Sequence, residues 1–350
     1  MTIGERLKQA RKANNLSLRK LADKVGVSPM AISKYERDLN VPSSDVLLRL
    51  SQVLQVKVDF FFRPRTVPIQ LMAYRKHSSL GIKEQEAIQM HIQDWIEHYI
   101  EAESLFPNNQ HKVNLTLYNV ASPDDIEAAA LDLRNRWNLG CDPIDNFVQL
   151  LEDRGIKVGL IAGFDHFDAC TFIANNDPVI VIKDELPGDR QRFNLGHELG
   201  HLILSIEGDM DSEKAANRFV GAFLVPAEMA RFELGSNRTD LNINELYLLK
   251  HKYGLSMQAW IYRAKDLSII SESTATRLFQ KFRINSWHRL EPGKSYPSET
   301  PIRMERLIYR ALAEDLISRS RAQELLGKPL ELEWDTEALQ QNDFALYVGN

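Results

Sequence analysis

The apolar positions at the start of the chain recur at helical spacing. Residues 3–10 carry a first apolar stripe at positions three or four apart, which share one face of a helix. Serine caps a helix start, and proline fits the first helical position. The serines that precede further apolar helical segments are Ser17, Ser28 (followed by Pro29) and Ser43. The pattern predicts a row of short helices over residues 3–61, which ends at a proline-containing linker over residues 63–68.

Helical periodicity dominates the rest of the chain, with one β-rich interval. The pattern predicts helices over residues 81–106, 123–138, 143–154, 190–205, 211–224, 244–253 and 302–319. Three segments rich in β-branched residues and bounded by turn residues predict strands over residues 155–162, 170–174 and 178–183. The expected fold class is therefore mainly α with a small β-sheet (α+β).

Charge divides the chain into a basic head and an acidic body. Residues 1–65 hold 13 lysines and arginines against 6 acidic residues, whereas the rest holds 30 against 42. This asymmetry indicates a nucleic-acid partner for the head.

The longest apolar runs hold about seven residues, and a membrane helix needs about 20. We therefore expect no membrane partner and a cytoplasmic location. Two cysteines exclude a disulfide-stapled secreted scaffold.

Residues 18–36 have the spacing of a helix-turn-helix. A helix over residues 18–25, a turn at Gly26-Val27 and a second helix over residues 28–36 fit a motif that places its second helix in the major groove. Ile32 and Tyr35 are predicted to face inward. The side chains predicted to reach base edges are those of Ser28, Pro29, Met30, Ser33 and Lys34, and those predicted to contact phosphates are Arg19, Lys20 and Arg37. Because Pro29 and Met30 lack hydrogen-bonding groups, base specificity would depend on Ser33 and Lys34.

This head resembles the XRE (lambda-repressor-like) DNA-binding family. The matching residues include Ile3-Gly4-Glu5-Arg6-Leu7-Lys8, Gly26-Val27-Ser28 and Ile32-Ser33-Lys34-Tyr35-Glu36-Arg37. The resemblance implies a five-helix bundle that binds double-stranded operator DNA, often as a dimer, so a homodimer is one expected state. A small helical domain that binds another protein is the alternative.

His197-Glu198-Leu199-Gly200-His201 forms the H-E-x-x-H pattern within a predicted helix. Because residues four apart share a helix face, His197 and His201 can bind one Zn²⁺ ion together, with Glu198 as general base. A catalytic zinc needs a third protein ligand. We predict Glu213 in that role, at the start of the next helix. The loop acids Glu207, Asp209 and Asp211 are its rivals.

Asn217 lies one helical turn after Glu213 and is predicted to orient a ligand histidine. Together these residues resemble the ImmA/IrrE family of zinc metallopeptidases. Further matching residues are Arg192-Phe193, Ala216-Asn217-Arg218-Phe219 and Phe223-Leu224-Val225-Pro226. The resemblance spans roughly residues 143–267. It implies a zincin-like domain in which His197, His201 and Glu213 bind zinc and Glu198 is catalytic. A tyrosine near the site, such as Tyr253, is a weaker candidate for stabilising the oxyanion.

The predicted organisation has four segments. They are an XRE-type helix-turn-helix domain over residues 1–62, a linker and long connecting helix over residues 63–121, an ImmA/IrrE-like zinc metallopeptidase domain over residues 122–290, and a C-terminal helical extension over residues 291–350.

The function predicted from these segments is that of a DNA-binding transcriptional regulator with a zinc endopeptidase. Its protein substrate would be a regulatory protein, either a separate XRE-type repressor or its own linker near residues 63–68. The alternative is an antitoxin-like repressor whose zinc domain senses or dimerises without cleaving.

Overall fold

The computed structural model describes residues 2–62, 67, 69–74, 81–107, 113, 115–164 and 166–330. Residues 2–62 form a bundle of α1 (Ile3–Ala13), α2 (Leu18–Val25), α3 (Pro29–Glu36), α4 (Ser44–Leu54) and the 3₁₀ helix Val58–Phe62. The hydroxyl groups of Thr2, Ser17, Ser28 and Ser43 accept hydrogen bonds from the backbone of the first turn of each α-helix. The predicted row of five helices is confirmed, and the fifth has 3₁₀ geometry.

The bundle has its own apolar core, and α1 holds α3 in place. The fully buried apolar side chains include Leu7, Leu21, Ala22, Ile32 and Leu50. Gly4 permits the contact between the two helices, because a Cβ at this position would lie 2.2 Å from the carbonyl oxygen of Tyr35. Arg11 donates to both carboxylate oxygens of Glu36, with 2.9 Å between Nη2 and Oε2. The helix predicted to enter the major groove is therefore fixed by a close backbone contact and an ion pair.

A strand and a long helix follow the bundle: β1 (Ile69–Tyr74) and α5 (Ile82–Ser104). The long helix was predicted and is confirmed, whereas β1 was not predicted. The first part of α5 contacts the bundle. The guanidinium of Arg6 lies 2.8 Å from the carboxylate of Glu97, and Nε2 of His91 lies 3.2 Å from the carbonyl oxygen of Ala13.

Residues 115–301 contain short strands surrounded by helices. The helices are α6 (Pro123–Arg136), α7 (Phe147–Asp153), α8 (Gly188–Ile203), α9 (Ser212–Leu224), α10 (Ala227–Leu234), α11 (Ile243–Tyr253), α12 (Met257–Asp266) and α13 (Glu272–Ile284). The strands are β2 (Tyr118–Val120), β3 (Lys157–Ile161), β4 (Ala169–Ala174), β5 (Asp177–Lys183) and β6 (Leu204–Ile206). The predicted fold class, mainly α with a small β-sheet, is confirmed.

The larger sheet has the strand order β1-β4-β5-β3. Strand β4 is antiparallel to both of its neighbours, and β3 is parallel to β5. The three predicted strands are β3, β4 and β5. The short parallel pair β2 and β6 was not predicted, and the end of the helix predicted over residues 190–205 belongs to β6. Three residues are too few for a periodic pattern to identify a strand.

Helix α8 is buried and packs closely against α9. A Cβ at Gly196 would lie 2.4 Å from Cγ2 of Val220, and one at Gly200 would lie 3.2 Å from Cα of Ala216. Because the later residue of α8 meets the earlier residue of α9, the two helices are antiparallel. The first turn of α9 consequently lies beside the last turn of α8.

Two predicted helices differ from those observed. The helix predicted over residues 143–154 begins only at Phe147, because the side chain of Asn146 caps it by accepting from the backbone of Gln149 at 2.8 Å. The helix predicted over residues 302–319 is two helices, α14 (Arg303–Ala313) and α15 (Arg319–Leu326). The chain takes a left-handed φ of 54° at Asp315 and Ser318 caps α15, so a single helix cannot continue.

The chain divides into two compact units. One comprises Met1–Glu97 with His111–Pro301, and the other comprises His98–Gln110 with Ile302–Asn350. The second unit has an apolar cluster that includes Ala102, Phe106, Ile308, Ala311 and Leu325. Residues 331–350 of the predicted C-terminal extension lie outside the described residues. Among the helices of the described ranges, none combines the length and the apolar character needed to cross a membrane.

Candidate functional site

Two histidines on one face of α8 converge on a single point. The side chain of His197 is fully buried, and that of His201 is 17% exposed. Their Nε2 atoms lie 3.0 Å apart. The helix sets this arrangement, because four residues advance the chain by about one turn and keep both rings on the same side.

Glu213, in the first turn of α9, completes the cluster. Its carboxylate oxygens lie 3.3 Å from Nε2 of His197 and 3.2 Å from Nε2 of His201. Asp211 is the N-cap of α9 and accepts from the backbone amide of Glu213 at 2.9 Å. Among the described residues, the group placed to share a metal ion is His197, His201 and Glu213. Its rivals Glu207, Asp209 and Asp211 are not in that group.

The spacing of the three ligand groups is close to that around a tetrahedral ion. Zinc–nitrogen distances of about 2.0–2.1 Å imply separations of about 3.3 Å between neighbouring ligands in a tetrahedron. The two Nε2 atoms lie 3.0 Å apart. Oε1 of Glu213 lies 3.2 Å from Nε2 of His201, and Oε2 lies 3.3 Å from Nε2 of His197. Two imidazoles and one carboxylate are also a donor set found in catalytic zinc sites, which keep a fourth position open. The residues present therefore fit a catalytic metal ion.

Asn217 is in hydrogen-bonding contact with the buried histidine. Its Oδ1 atom lies 2.9 Å from Nδ1 of His197. Since an amide oxygen only accepts, Nδ1 carries the ring proton and Nε2 presents a lone pair to the cluster. A ligand histidine commonly has such a partner, which fixes both its tautomer and its ring orientation.

Glu198 is buried beside the cluster and is held by the sheet. Glu198 is 1% exposed. Its Oε2 atom accepts a hydrogen bond of 2.6 Å from the hydroxyl of Thr171 on β4. Thr171 was not among the residues predicted from the sequence. The available signal was a hydroxyl residue within an otherwise apolar, buried strand. Burial, together with the charge of Glu198, raises the pKa of the neighbouring Cys170 thiol, so this cysteine stays protonated.

Two clefts provide room next to the cluster. A cavity of about 830 Å³ reaches Glu213, and a second cavity of about 800 Å³ reaches Asn217. Both are lined by Phe193 and Tyr262. Volumes of this size are typical of ligand-binding clefts, so side chains of a bound polypeptide can be accommodated beside the cluster.

Tyr253 is engaged elsewhere. Its hydroxyl donates to a carboxylate oxygen of Glu233 at 2.8 Å. Burial and this hydrogen bond raise the pKa of the phenol. The geometry therefore gives no support to Tyr253 as an oxyanion-stabilising group.

The side chains predicted to contact DNA are placed on the surface of α2, α3 and their flanks. Those that are exposed are Arg19, Lys20, Ser28, Pro29, Met30, Lys34 and Arg37, and Ser33 is half-buried. Ile32 is fully buried as predicted, whereas Tyr35 is only half-buried. Arg37, the C-cap of α3, also donates from Nε to the carbonyl oxygen of Ser33 at 3.2 Å.

Comparison with known families assigns the two regions separately. Residues 7–61 match the helix-turn-helix family, and residues 153–265 match the IrrE N-terminal-like domain of the M78 peptidases. The second match contains the metal-ligating cluster of His197, His201 and Glu213, and it also contains Thr171.

Several transcriptional regulators are similar to part of this chain. The regulator ImmR of Bacillus subtilis is 37% identical over 60 residues, which is 17% of this chain and 47% of ImmR. SinR of the same organism is 46% identical over 57 residues, or 16% of this chain and 51% of SinR. The cryptic phage CTXphi transcriptional repressor RstR of Vibrio cholerae is 32% identical over 93 residues, or 26% of this chain and 83% of RstR. The chain thus spans about half the length of ImmR and SinR and most of RstR.

Proposed function

We propose a function for this chain on the premise that it belongs to the helix-turn-helix transcriptional regulators and carries an IrrE N-terminal-like domain of the M78 peptidases. It binds operator DNA through its N-terminal bundle and hydrolyses a peptide bond in a regulatory protein with the help of zinc. The observation that carries the peptidase half is the convergence of His197, His201 and Glu213 beside a buried Glu198.

The contacts at the centre support a role for each residue. His197, His201 and Glu213 hold the zinc ion, and Asn217 keeps His197 in the tautomer that offers Nε2. Zinc in such a site supplies Lewis-acid chemistry, since it lowers the pKa of water to about 7 and polarises a carbonyl group. Glu198 acts as the general base, which accepts a proton from water and passes it to the leaving amine. Thr171 positions the Glu198 carboxylate through its hydrogen bond.

The DNA-binding half uses the exposed surface of α3. Ser33 and Lys34 contact base edges, Ser28, Pro29 and Met30 line the same surface, and Arg19, Lys20 and Arg37 contact phosphates. A homodimer on a two-fold operator and a cytoplasmic location, where operator DNA is found, complete this proposal. The basic charge of the head supports it, with 13 cationic against 6 acidic residues over positions 1–65.

We retain the four-segment organisation as part of the proposal: 1–62, 63–121, 122–290 and 291–350. The substrate is a separate XRE-type repressor or the chain's own linker near residues 63–68. Of that linker, only residue 67 lies within the described residues.

The test is proteolysis by the purified, zinc-loaded chain. It is incubated with a panel of purified XRE-type repressors, with and without operator DNA, and fragments of the repressors and of the chain itself are identified by mass spectrometry. We expect Glu198→Gln to retain one zinc ion per chain and to lose cleavage by about 10²-fold or more, which is the contribution of a general base. Glu207→Gln, a substitution of the same type in a nearby loop, serves as the matched control.

Two results would count against the proposal. One is the absence of any cleavage product from the zinc-loaded wild type under all of these conditions. The other is unchanged regulation of a target promoter in cells by Glu198→Gln with zinc still bound, which favours the antitoxin-like repressor whose zinc domain senses or dimerises without cleaving.

A further inference from the structure

The cavity of about 830 Å³ beside the candidate metal centre, called the Glu213 cavity below, is lined in part by the first half of α8. Asn194 is one of the lining residues. It lies three residues before His197 and seven before His201, and positions at this spacing share one face of a helix. Asn194 is therefore placed about one helical turn before the first metal-ligating histidine, on the same side of α8.

The side-chain amide of Asn194 is buried without a partner. The residue is 4% exposed, and its Nδ2 atom has no hydrogen-bond partner within the described ranges. A buried donor that stays unpaired destabilises the folded state, so a group of this kind needs an explanation. Binding clefts contain a small number of polar groups that fix the orientation of a ligand. A ligand that fills the Glu213 cavity can supply the missing acceptor.

The buried charges in the same wall compensate one another. Nζ of Lys250 lies 3.2 Å from a carboxylate oxygen of Asp189 and 3.0 Å from one of Glu291. Glu291 also accepts from the backbone amides of Met257 and Gln258 at the start of α12, at 3.1 and 3.0 Å. These amides offset the charge of Glu291, which leaves Lys250 to offset that of Asp189. The Oδ1 atom of Asp189 is buried and has no hydrogen-bond partner in the described part of the chain, so the wall offers an acceptor as well as a donor.

A carboxamide side chain matches this wall. A primary amide carries a carbonyl group that accepts and an amino group that donates, so glutamine or asparagine can pair with a buried amide without bringing an uncompensated charge into the cavity. A carboxylate or a guanidinium group would bring such a charge. At the exposed rim, Arg190 lies 3.2 Å from Asp168, so this pair is compensated as well. An apolar side chain would leave the amide of Asn194 unpaired.

Building on the proposed peptidase function, we propose that the Glu213 cavity binds a substrate side chain next to the scissile bond and that Asn194 selects glutamine or asparagine there. Phe193 and Tyr262 contribute apolar surface to the lining, on which the methylene groups of such a side chain can pack. Asn194 is thus a specificity-determining residue, which acts on the choice of substrate and leaves the chemistry to the metal centre.

Four hydroxamates test this assignment without hydrolysis. Each probe binds zinc through its hydroxamate group and carries one variable side chain beside it, that of glutamine, methionine, glutamate or arginine. The glutamine and methionine side chains have similar lengths and differ in their hydrogen-bonding groups, whereas glutamine and glutamate differ in charge. Calorimetry on the zinc-loaded full chain gives the dissociation constants. We expect the glutamine probe to bind at least about tenfold more tightly than each of the others, because only this probe pairs the buried amide without adding charge.

A substitution at Asn194 tests whether this residue sets the preference. Asn194→Leu replaces the amide by an apolar group of similar shape. We expect the ratio of the dissociation constants of the methionine and glutamine probes to fall by at least about tenfold, with one zinc ion still bound per chain. Asn244→Leu makes the same change at an exposed position in the first turn of α11. This control should keep the preference of the wild type.

Several results would overturn the assignment. They are a wild type that binds any other probe as tightly as the glutamine probe, a zinc-loaded wild type that binds none of the four, and an Asn194→Leu variant that retains both zinc and the original preference. If the leucine variant does not bind zinc, the four probes on the wild type decide the question. Failure of the proposed hydrolysis is a separate result. Preference for the glutamine probe, without cleavage of any repressor, would remove the peptidase function and leave the binding site in place.

Discussion

The Oδ1 atom of Asn217 lies 2.9 Å from Nδ1 of His197, across the interface between α9 and α8. Glu213, one helical turn earlier on α9, lies 3.3 Å from Nε2 of the same histidine. The imidazole ring of His197 thus contacts two side chains of the neighbouring helix. The geometry of the candidate centre therefore depends on how α8 and α9 pack, as well as on the spacing within α8.

These two contacts predict the effect of replacing Asn217. Asn217→Ala removes the acceptor for the Nδ1 proton, so the ring is free to rotate or change tautomer. We expect zinc affinity to fall by about 10- to 100-fold, as is typical for the loss of a partner of a ligand histidine. Competition with a chromophoric chelator measures the affinity. Asn217→Asp is the control, since a carboxylate also accepts this proton, and equal losses in both variants would contradict the assigned role.

The hydroxyl of Thr171 predicts a change in rate without a change in metal binding. Thr171→Val keeps the shape of the side chain but removes the donor to Glu198. A hydrogen bond to a charged group contributes about 1.5–3 kcal/mol, so we expect the cleavage rate to fall by about 10- to 100-fold. Because the ionised carboxylate loses a donor, the acidic limb of the pH–rate profile should move to higher pH.

Thr171→Ser separates positioning from packing. It retains the hydroxyl and should restore most of the rate and the original pH profile, with zinc affinity unchanged in both variants. A serine variant as slow as the valine variant would show that the methyl group and its packing, rather than the hydrogen bond, determine the rate.

The exposed surface of the N-terminal bundle predicts two different effects on operator binding. Lys20→Gln removes a phosphate contact, so affinity should fall for all sequences alike, and the slope of log K against log salt should decrease in magnitude by about 0.9. Ser33→Ala should leave that slope unchanged and alter the preference at one base position. Fluorescence anisotropy at several salt concentrations, with operator and non-operator duplexes, distinguishes these outcomes. Identical effects of the two substitutions would contradict the assignment of contacts.

Tyr118 predicts a pH dependence. Burial, followed by the hydrogen bond of 2.7 Å that its hydroxyl donates to Asp132, raises the pKa of Tyr118 from 10.0 to about 12. The folded state therefore favours the protonated phenol. This contribution to stability is fully present below pH 10 and is lost as the pH rises from 10 towards 12.

An absorbance titration of the phenolate checks this expectation. The difference between wild type and Tyr118→Phe should show one tyrosine that ionises near pH 12 in the folded protein and near pH 10 in denaturant. A difference curve with its midpoint near pH 10 in the folded protein would show that the contact with Asp132 does not exist in solution.

Features that depend on near neighbours along the chain could be predicted from the amino-acid pattern. Ser17, Ser28 and Ser43 mark helix starts because a capping side chain bonds to amides within the next turn. His197 and His201 share a face because four residues make about one helical turn. These relationships are contained in a short window of residues, so a pattern reveals them.

Which distant groups meet became clear from the packing of the folded chain. Glu213 joins the histidines, and Glu207, Asp209 and Asp211 do not, because α9 packs antiparallel to α8 across Gly196 and Gly200. The contact of Thr171 with Glu198 and the pairing of β1 with β4 join segments far apart in sequence. Which partners such segments find is set by packing of the whole chain, since a local pattern states that a strand or an acid is present but not what lies across from it.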